Sequence, residues 1–268
     1  MRNRWLVNLL LLILVIGLGI WMRRDLELGR RVATLTGLLP ESITEVAIER
    51  SGDTAIRLVQ GVSGWRMEAP YRVPADAERI AQLARIAATP VYRSLPRGAG
   101  REQLGLDPER VRLTLNGLVL RFGDLDPIAQ HRYVAIGDQV NLIGDALYYH
   151  LLASPEDYVD RRLLPADFRA AAGSLDGKPL TSEQLASLDG LSAESVEPLG
   201  SELVGRLLSL TSVDGNQSLR FLVSPDGLVW SRLDLRLRYR LATPPAWAVA
   251  EAATGPEGEV PEKGNLDW

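Results

Sequence analysis

With 268 residues, 46% of them hydrophobic and 24% charged, the chain can bury a substantial core and holds one or two domains. A formal net charge of -4 gives no cationic field to gather nucleic acid, so no nucleic-acid partner is expected. Cysteine is absent, which excludes disulfides, thiolate metal sites and a cysteine nucleophile.

The first element is WLVNLLLLILVIGLGIWM, Trp5 to Met22, whose one strongly polar side chain is Asn8. At about 1.5 Å per helical residue it is just long enough to cross a bilayer core. Trp5 and Trp21 bracket it where amphipathic rings meet the two interfaces, and Arg2, Arg4, Arg23 and Arg24 lie immediately outside. A cleaved signal peptide is the alternative. The apolar run, however, ends GLGIWMRRD with no small-x-small site, which favours an uncleaved anchor over residues 1–24. The flanking arginines nearly balance. A lone anchor ahead of a long domain serves to send that domain across, so the expected localisation is single-pass in the inner membrane with the bulk of the chain periplasmic.

Residues 25–40, ending VATLTGLLP, read as a juxtamembrane connector that lifts the folded region off the membrane. The folded region then divides into an α+β domain over 41–165 and a C-terminal α+β repeat over 166–242. One device recurs within it: two alternating strands joined by a tight Gly, Asn or Asp turn. VRLTLNGLVLRF is the clearest case, because Asn116-Gly117 suits a type I′ turn. A two-residue loop sets Leu115 against Leu118, Leu113 against Leu120 and Val111 against Phe122, all on one face. Similar hairpins are expected at Gly52-Asp53, Gly137-Asp138 and Asp226-Gly227. Helices are expected at PADAERIAQLARIAA, with Asp76 at its start and Ile80, Leu83 and Ile86 on one stripe. DALYYHLLASPEDYV and SVEPLGSELVGRLLSL read as further helices. Trp65, in GWRMEAP, begins the strand leaving the first hairpin and reads as a cap on the core edge; stacking on a sugar is its functional alternative. Residues 243–268, rich in Pro, Gly, Ala and Glu, read as a flexible acidic tail.

The fold class expected is therefore α+β: repeated antiparallel β-hairpins with helices packed on one face, preceded by a single N-terminal transmembrane helix.

A GxW strand, an AP…PAD helix, LGLDP, a strand with FGD, RYVAIGD and a helix running into YVDRRLLP follow one another in this order. Over roughly Ile43 to Pro165 this resembles a bacterial family described only as a domain of unknown function, numbered four-three-four-zero. The resemblance implies a membrane-anchored, periplasm-facing protein whose gene lies beside subunits of an ABC-type transport system similar to the gliding-motility type. It supplies no catalytic residues. SLRFLVSPDGLVWSRLDLRLRYRLATP reads as a divergent later repeat.

The search for chemistry returns little. His131 and His150 are too few for a histidine metal site, and no GxSxG elbow offers a nucleophile. Asp124 and Asp126 in FGDLDP sit in a turn without the spaced oxygen set of a calcium loop. No GxxxxGK[ST] loop is present, so the chain is not the ATPase of any transporter. Asp160, Arg161 and Arg162 suit an anion or partner contact, or simply a charged helix end. The expectation is no catalytic, cofactor-binding or metal residue and no cofactor, with the inner membrane and integral-membrane transport subunits as partners. The alternative is an envelope hydrolase or glycan-binding enzyme with an unrecognised site.

Overall fold

In the computed structural model, which describes residues 9, 11–19, 33–201 and 203–250, the alternating segments become strands that pair antiparallel throughout. The chain divides into two units, residues 1–160 and 161–268. In the first, the strands are β1 (Glu45–Arg50), β2 (Ile56–Gly61), β3 (Gly64–Ala69), β4 (Val73–Pro74), β5 (Val91–Ser94), β6 (Val111–Leu115), β7 (Leu118–Leu125), β8 (His131–Ile136) and β9 (Gln139–Gly144). They form one sheet in the order β4-β3-β2-β1-β6-β7-β8-β9-β5, with helix α1 (Ala77–Ala84) between β4 and β5. The second unit holds β10 (Ala170–Leu175), β11 (Lys178–Pro179), helix α2 (Ser182–Leu188), β12 (Ser195–Pro198), β13 (Arg206–Ser212), β14 (Ser218–Val223), β15 (Val229–Arg232) and β16 (Leu237–Arg240). Its sheet order is β11-β10-β13-β14-β15-β16-β12. The four expected hairpins are all present.

The register at Asn116-Gly117 is the one the hydrophobic pattern demands: Leu115 faces Leu118, Leu113 faces Leu120 and Val111 faces Phe122. Asn116 at φ 47° and Gly117 at φ 82° supply the two positive dihedrals of the turn. β1 continues the same face, with Val46 against Leu115 and Ile48 against Leu113. Val46, Ile48, Leu113, Leu115, Leu120 and Phe122 are buried together with Ile80 and Leu83 of α1. Each such side chain contributes about 1.5–3 kcal/mol relative to leaving it in water. The Asp76 carboxylate starts α1 by accepting from the amides of Glu78 and Arg79.

The two units follow one plan. β1, β2, α1, β5, β6, β7, β8 and β9 correspond in order and pairing to β10, β11, α2, β12, β13, β14, β15 and β16. The correspondence extends to single bonds. Leu35 donates to the Thr89 carbonyl and Val91 to that of Ala33, while Leu163 donates to Leu191 and Ala193 to Arg161. Ile43 donates to Pro40 and Phe168 to Pro165, each two residues ahead of the unit's first strand. LLPESI and LLPADF are the sequence trace of this repeat. The second unit therefore starts at Arg161, a few residues before the boundary at Pro165 read from the sequence, because Arg161–Leu163 pairs with Leu191–Ala193. For the same reason 33–36 belongs to the first unit and not to a free connector.

Three segments differ from their sequence reading. DALYYHLLASPEDYV forms two 3-10 turns, Tyr148–Leu152 and Pro155–Tyr158, because Ser154 and Pro155 interrupt the run. SVEPLGSELVGRLLSL is strand at both ends, β12, which ends at Pro198, and β13, with Gly200 and Gly205 between them. Residues 243–250, placed at the start of the tail, are packed: Ala248 is fully buried, and the Trp247 ring meets Trp230 edge-on at 5.9 Å. Of the expected membrane span, residues 9 and 11–19 are helical with exposed side chains. No helix among the described residues is long and apolar enough to cross a membrane. The rest of Trp5–Met22 lies outside the described residues, as do 251–268.

Asn116 also ties its turn to the chain entering β1. Its Oδ1 accepts from the amides of Thr44 and Glu45 at 2.9 and 3.0 Å, and its Nδ2 donates to the Ser42 carbonyl at 2.9 Å. Losing these bonds and the tolerance for positive φ should cost about 2–3 kcal/mol in Asn116→Ala. A lower chemical-denaturation midpoint at unchanged slope for the first unit is the expected result.

Candidate functional site

Gly123 brings two of the quoted motifs into contact. A Cβ on it would stand 2.2 Å from the Leu104 carbonyl oxygen and 3.0 Å from the Leu106 side chain, so only glycine lets LGLDP lie on FGD. Gly105, at φ 64°, passes equally close to Asp124: a Cβ there would meet its carboxylate at 2.5 Å. Leu106 then fills a small core with Ala135 and Val140, and Arg110 closes the contact with a 2.8 Å ion pair to Asp124. Arg132, the arginine of RYVAIGD, sits on the same strand pair. It is buried, donates from Nη1 to the Gly123 carbonyl at 2.7 Å, pairs with Asp145 and lies 3.4 Å over the Tyr148 ring.

A second pair of motifs meets at α1. Ala75 and Val159 form an antiparallel bridge; Asp76 donates to the Tyr158 carbonyl at 2.8 Å and Asp160 to that of Pro74 at 3.0 Å. PAD and YVD are thus two halves of one clasp, which also covers the outer side of β4. Trp65 is half-buried, and its carbonyl accepts from Ala75 at 2.9 Å, so its strand holds the approach to the helix. The buried Tyr158 hydroxyl donates to the His150 carbonyl, and burial raises its pKa.

The remaining candidates are dispersed. His131 stacks on Tyr92 at 4.1 Å. His150 is buried against Tyr149, and burial, then the nearby Arg79, lowers its pKa. Asp126 accepts from the Ala129 amide and so closes its own turn. Arg161 and Arg162 enter the pairing with Ser192 and Ala193. No group of three or more His, Asp or Glu among the described residues could hold a metal ion.

What sequence reasoning missed is a cleft of ≈ 360 Å³ in the first unit, lined by Arg50, Asp53, Thr54, Pro70, Tyr71, Leu152, Ser154, Pro155 and Glu156. Arg50 is fixed from three sides: its Nη1 donates to the carbonyls of Leu151 and Ala153 at 3.1 and 2.9 Å, and its Nε pairs with Asp53 at 3.0 Å. Glu156 is buried, and its carboxylate accepts the Tyr71 hydroxyl. The cleft can hold charge and hydrogen-bonding groups in place. No spacing signals it, because Arg50, Tyr71 and Glu156 come from three distant segments. A second recess, ≈ 590 Å³, lies in the other unit beside Lys178, Arg206 and Trp247.

Gly123→Ala should therefore cost about 3 kcal/mol or more, through forced separation of Leu104 from β7, whereas Gly105→Ala, opposed by the movable Asp124 carboxylate, should cost about 1–2 kcal/mol through its positive φ. Far-UV circular dichroism during denaturation would report both. The pH effect has a definite sign. His150 binds its proton less readily folded than unfolded, so acid favours the unfolded chain, and stability should fall as pH drops below the ordinary histidine value of 6.5. His150→Gln should flatten that part of the pH profile.

No curated protein and no solved structure matches the chain. A family model does match, over residues 65–197, from β3 to β12, and its description is domain of unknown function (DUF4340). It is the family that the order of GxW, PAD, LGLDP, FGD, RYVAIGD and YVDRRLLP resembles, and the chain carries a domain of that family over those residues.

Proposed function

We propose that the chain is a single-pass, membrane-anchored envelope protein that works through protein contacts, as a non-enzymatic accessory of an ABC-type transport system. One observation carries the reading. The polar residues of the quoted motifs are occupied in holding backbone to backbone: Asp76 caps α1, Asp124 pairs with Arg110, and Arg132 is tied to Gly123 and Asp145. Motifs used this way preserve a scaffold, and a scaffold acts through its surfaces. The apolar run Trp5–Met22 with its flanking arginines supports the anchor, with the folded units on the periplasmic side. Confinement to the membrane plane raises the effective concentration beside an integral-membrane complex, so weak contacts suffice.

Affinity purification of the intact chain after mild detergent extraction should recover integral-membrane transporter subunits, and deletion of residues 1–24 should reduce that recovery by about tenfold or more. If the chain instead purifies alone and turns over an envelope glycan or peptide, the hydrolase reading replaces this one.

A further inference from the structure

The repeat between the two units isolates what the first has added. The β10-β11 turn is the two-residue Asp176-Gly177, whereas residues 51–55 join β1 to β2. β3 and β4 have no counterpart in the second unit, where the chain passes from β11 straight into α2. The 3-10 turns Tyr148–Leu152 and Pro155–Tyr158 follow β9; after β16 the second unit shows only the shorter turn Ala246–Ala248 among the described residues. Apart from Arg50, the last residue of β1, the walls of the ≈ 360 Å³ cleft come from these additions: Asp53 and Thr54 from the long turn, Pro70 and Tyr71 from the β3-β4 connection, and Leu152 to Glu156 from the 3-10 turns and their junction. The second unit has the common plan without them. They meet around a recess of the size that small ligands occupy, about 300–1,000 Å³.

The charges in the recess select its ligand. Arg50 is neutralised by Asp53 and saturated on Nη1 by two carbonyls. Glu156 has only 7% of its surface exposed, and the donor that reaches its carboxylate among the described residues is a neutral phenol. A buried carboxylate served by one neutral donor is short of compensating charge and of hydrogen bonds. Pro70, Pro155 and Leu152 supply apolar walls toward the mouth, where Leu152 is 53% exposed. An aliphatic stem ending in a cationic nitrogen meets both requirements.

We propose that this cleft binds a primary ammonium group carried on an aliphatic chain, with Glu156 as its counter-ion and the Tyr71 hydroxyl fixing the carboxylate. The site stands independently of any transport role. The same chemistry is offered by a lysine side chain of a partner protein and by a free diamine.

The test is titration of the intact, detergent-solubilised chain with Nα-acetyl-lysine amide, with cadaverine, and with Nα-acetyl-norleucine amide as the neutral control, followed by amide NMR shifts of Thr54, Tyr71 and Glu156. A saturable shift with the ammonium probes, at least about tenfold weaker or absent with norleucine, is expected from the charge pairing. Tighter binding of the lysine amide assigns a partner's side chain, and tighter binding of cadaverine assigns a free amine. Glu156→Gln should abolish the preference for the charged probes. Leu152→Trp, at an exposed position of the mouth, should block binding while leaving the spectrum of the rest of the unit unchanged. Equal binding of norleucine and lysine amides, no saturable shift with either ammonium probe, or undiminished binding by folded Leu152→Trp protein would overturn the proposal.

Discussion

The register between β6 and β7 is the constraint on which the first unit rests. A strand alternates faces with period two, so a slip of one residue would turn Val111, Leu113 and Leu115 out to solvent and bring Arg112 and Thr114 inward. Asn116-Gly117 prevents the slip from one end by closing a two-residue turn with positive φ at both positions. Gly123 prevents it from the other, because the Leu104 carbonyl fits against the strand only where a side chain is missing. β1 reads its own register from β6. A single alignment thus propagates across the central strands of the sheet.

That arrangement explains what the quoted motifs are for. LGLDP, FGD and RYVAIGD look like separate signatures in the sequence, yet all three meet at one patch of β7 and β8, joined by Gly105, Gly123, Asp124 and Arg132. PAD and YVD join at the start of α1, more than eighty residues apart in the chain. The polar atoms in these clasps are already paired. Buried arginine tied to a carbonyl, a carboxylate and a ring is expensive to place and stays only where all its partners are present, which makes such positions intolerant of change without making them reactive. The cleft at Arg50, Tyr71 and Glu156 has the opposite character: apart from Arg50 at the end of β1 it is built from additions to the repeated plan, and it leaves a carboxylate under-compensated.

The hairpins were legible because turn chemistry is local: Asn-Gly, Gly-Asp and Asp-Gly each state their backbone requirement in two residues, and the flanking alternation agrees. The stretches at 145–159 and 195–210 were not, since apolar residues there satisfy helical spacing while the deciding interactions are distant. Ser154 closes on Asp157 as a capping box around a single turn, and Leu208 and Leu210 are buried by pairing with β14. α2 was missed although Thr181 and Gln184 form a capping box, because its apolar stripe is short. The duplication left only LLPESI and LLPADF as a visible trace; hydrogen-bond correspondence carries the rest. The walls of the cleft had no trace at all, since a site assembled from three segments far apart has no spacing to read.

Native-state hydrogen exchange on the full chain tests most directly whether the motifs are fasteners. If they are, the amides of Asp76, Leu106, Arg110 and Asp160 open together with those of β6 and β7, at the same free energy and as one cooperative unit. Exchange of these four amides at the rates of open loops, while β6 and β7 stay protected, would mean that the motif segments move independently of the sheet and would contradict the account.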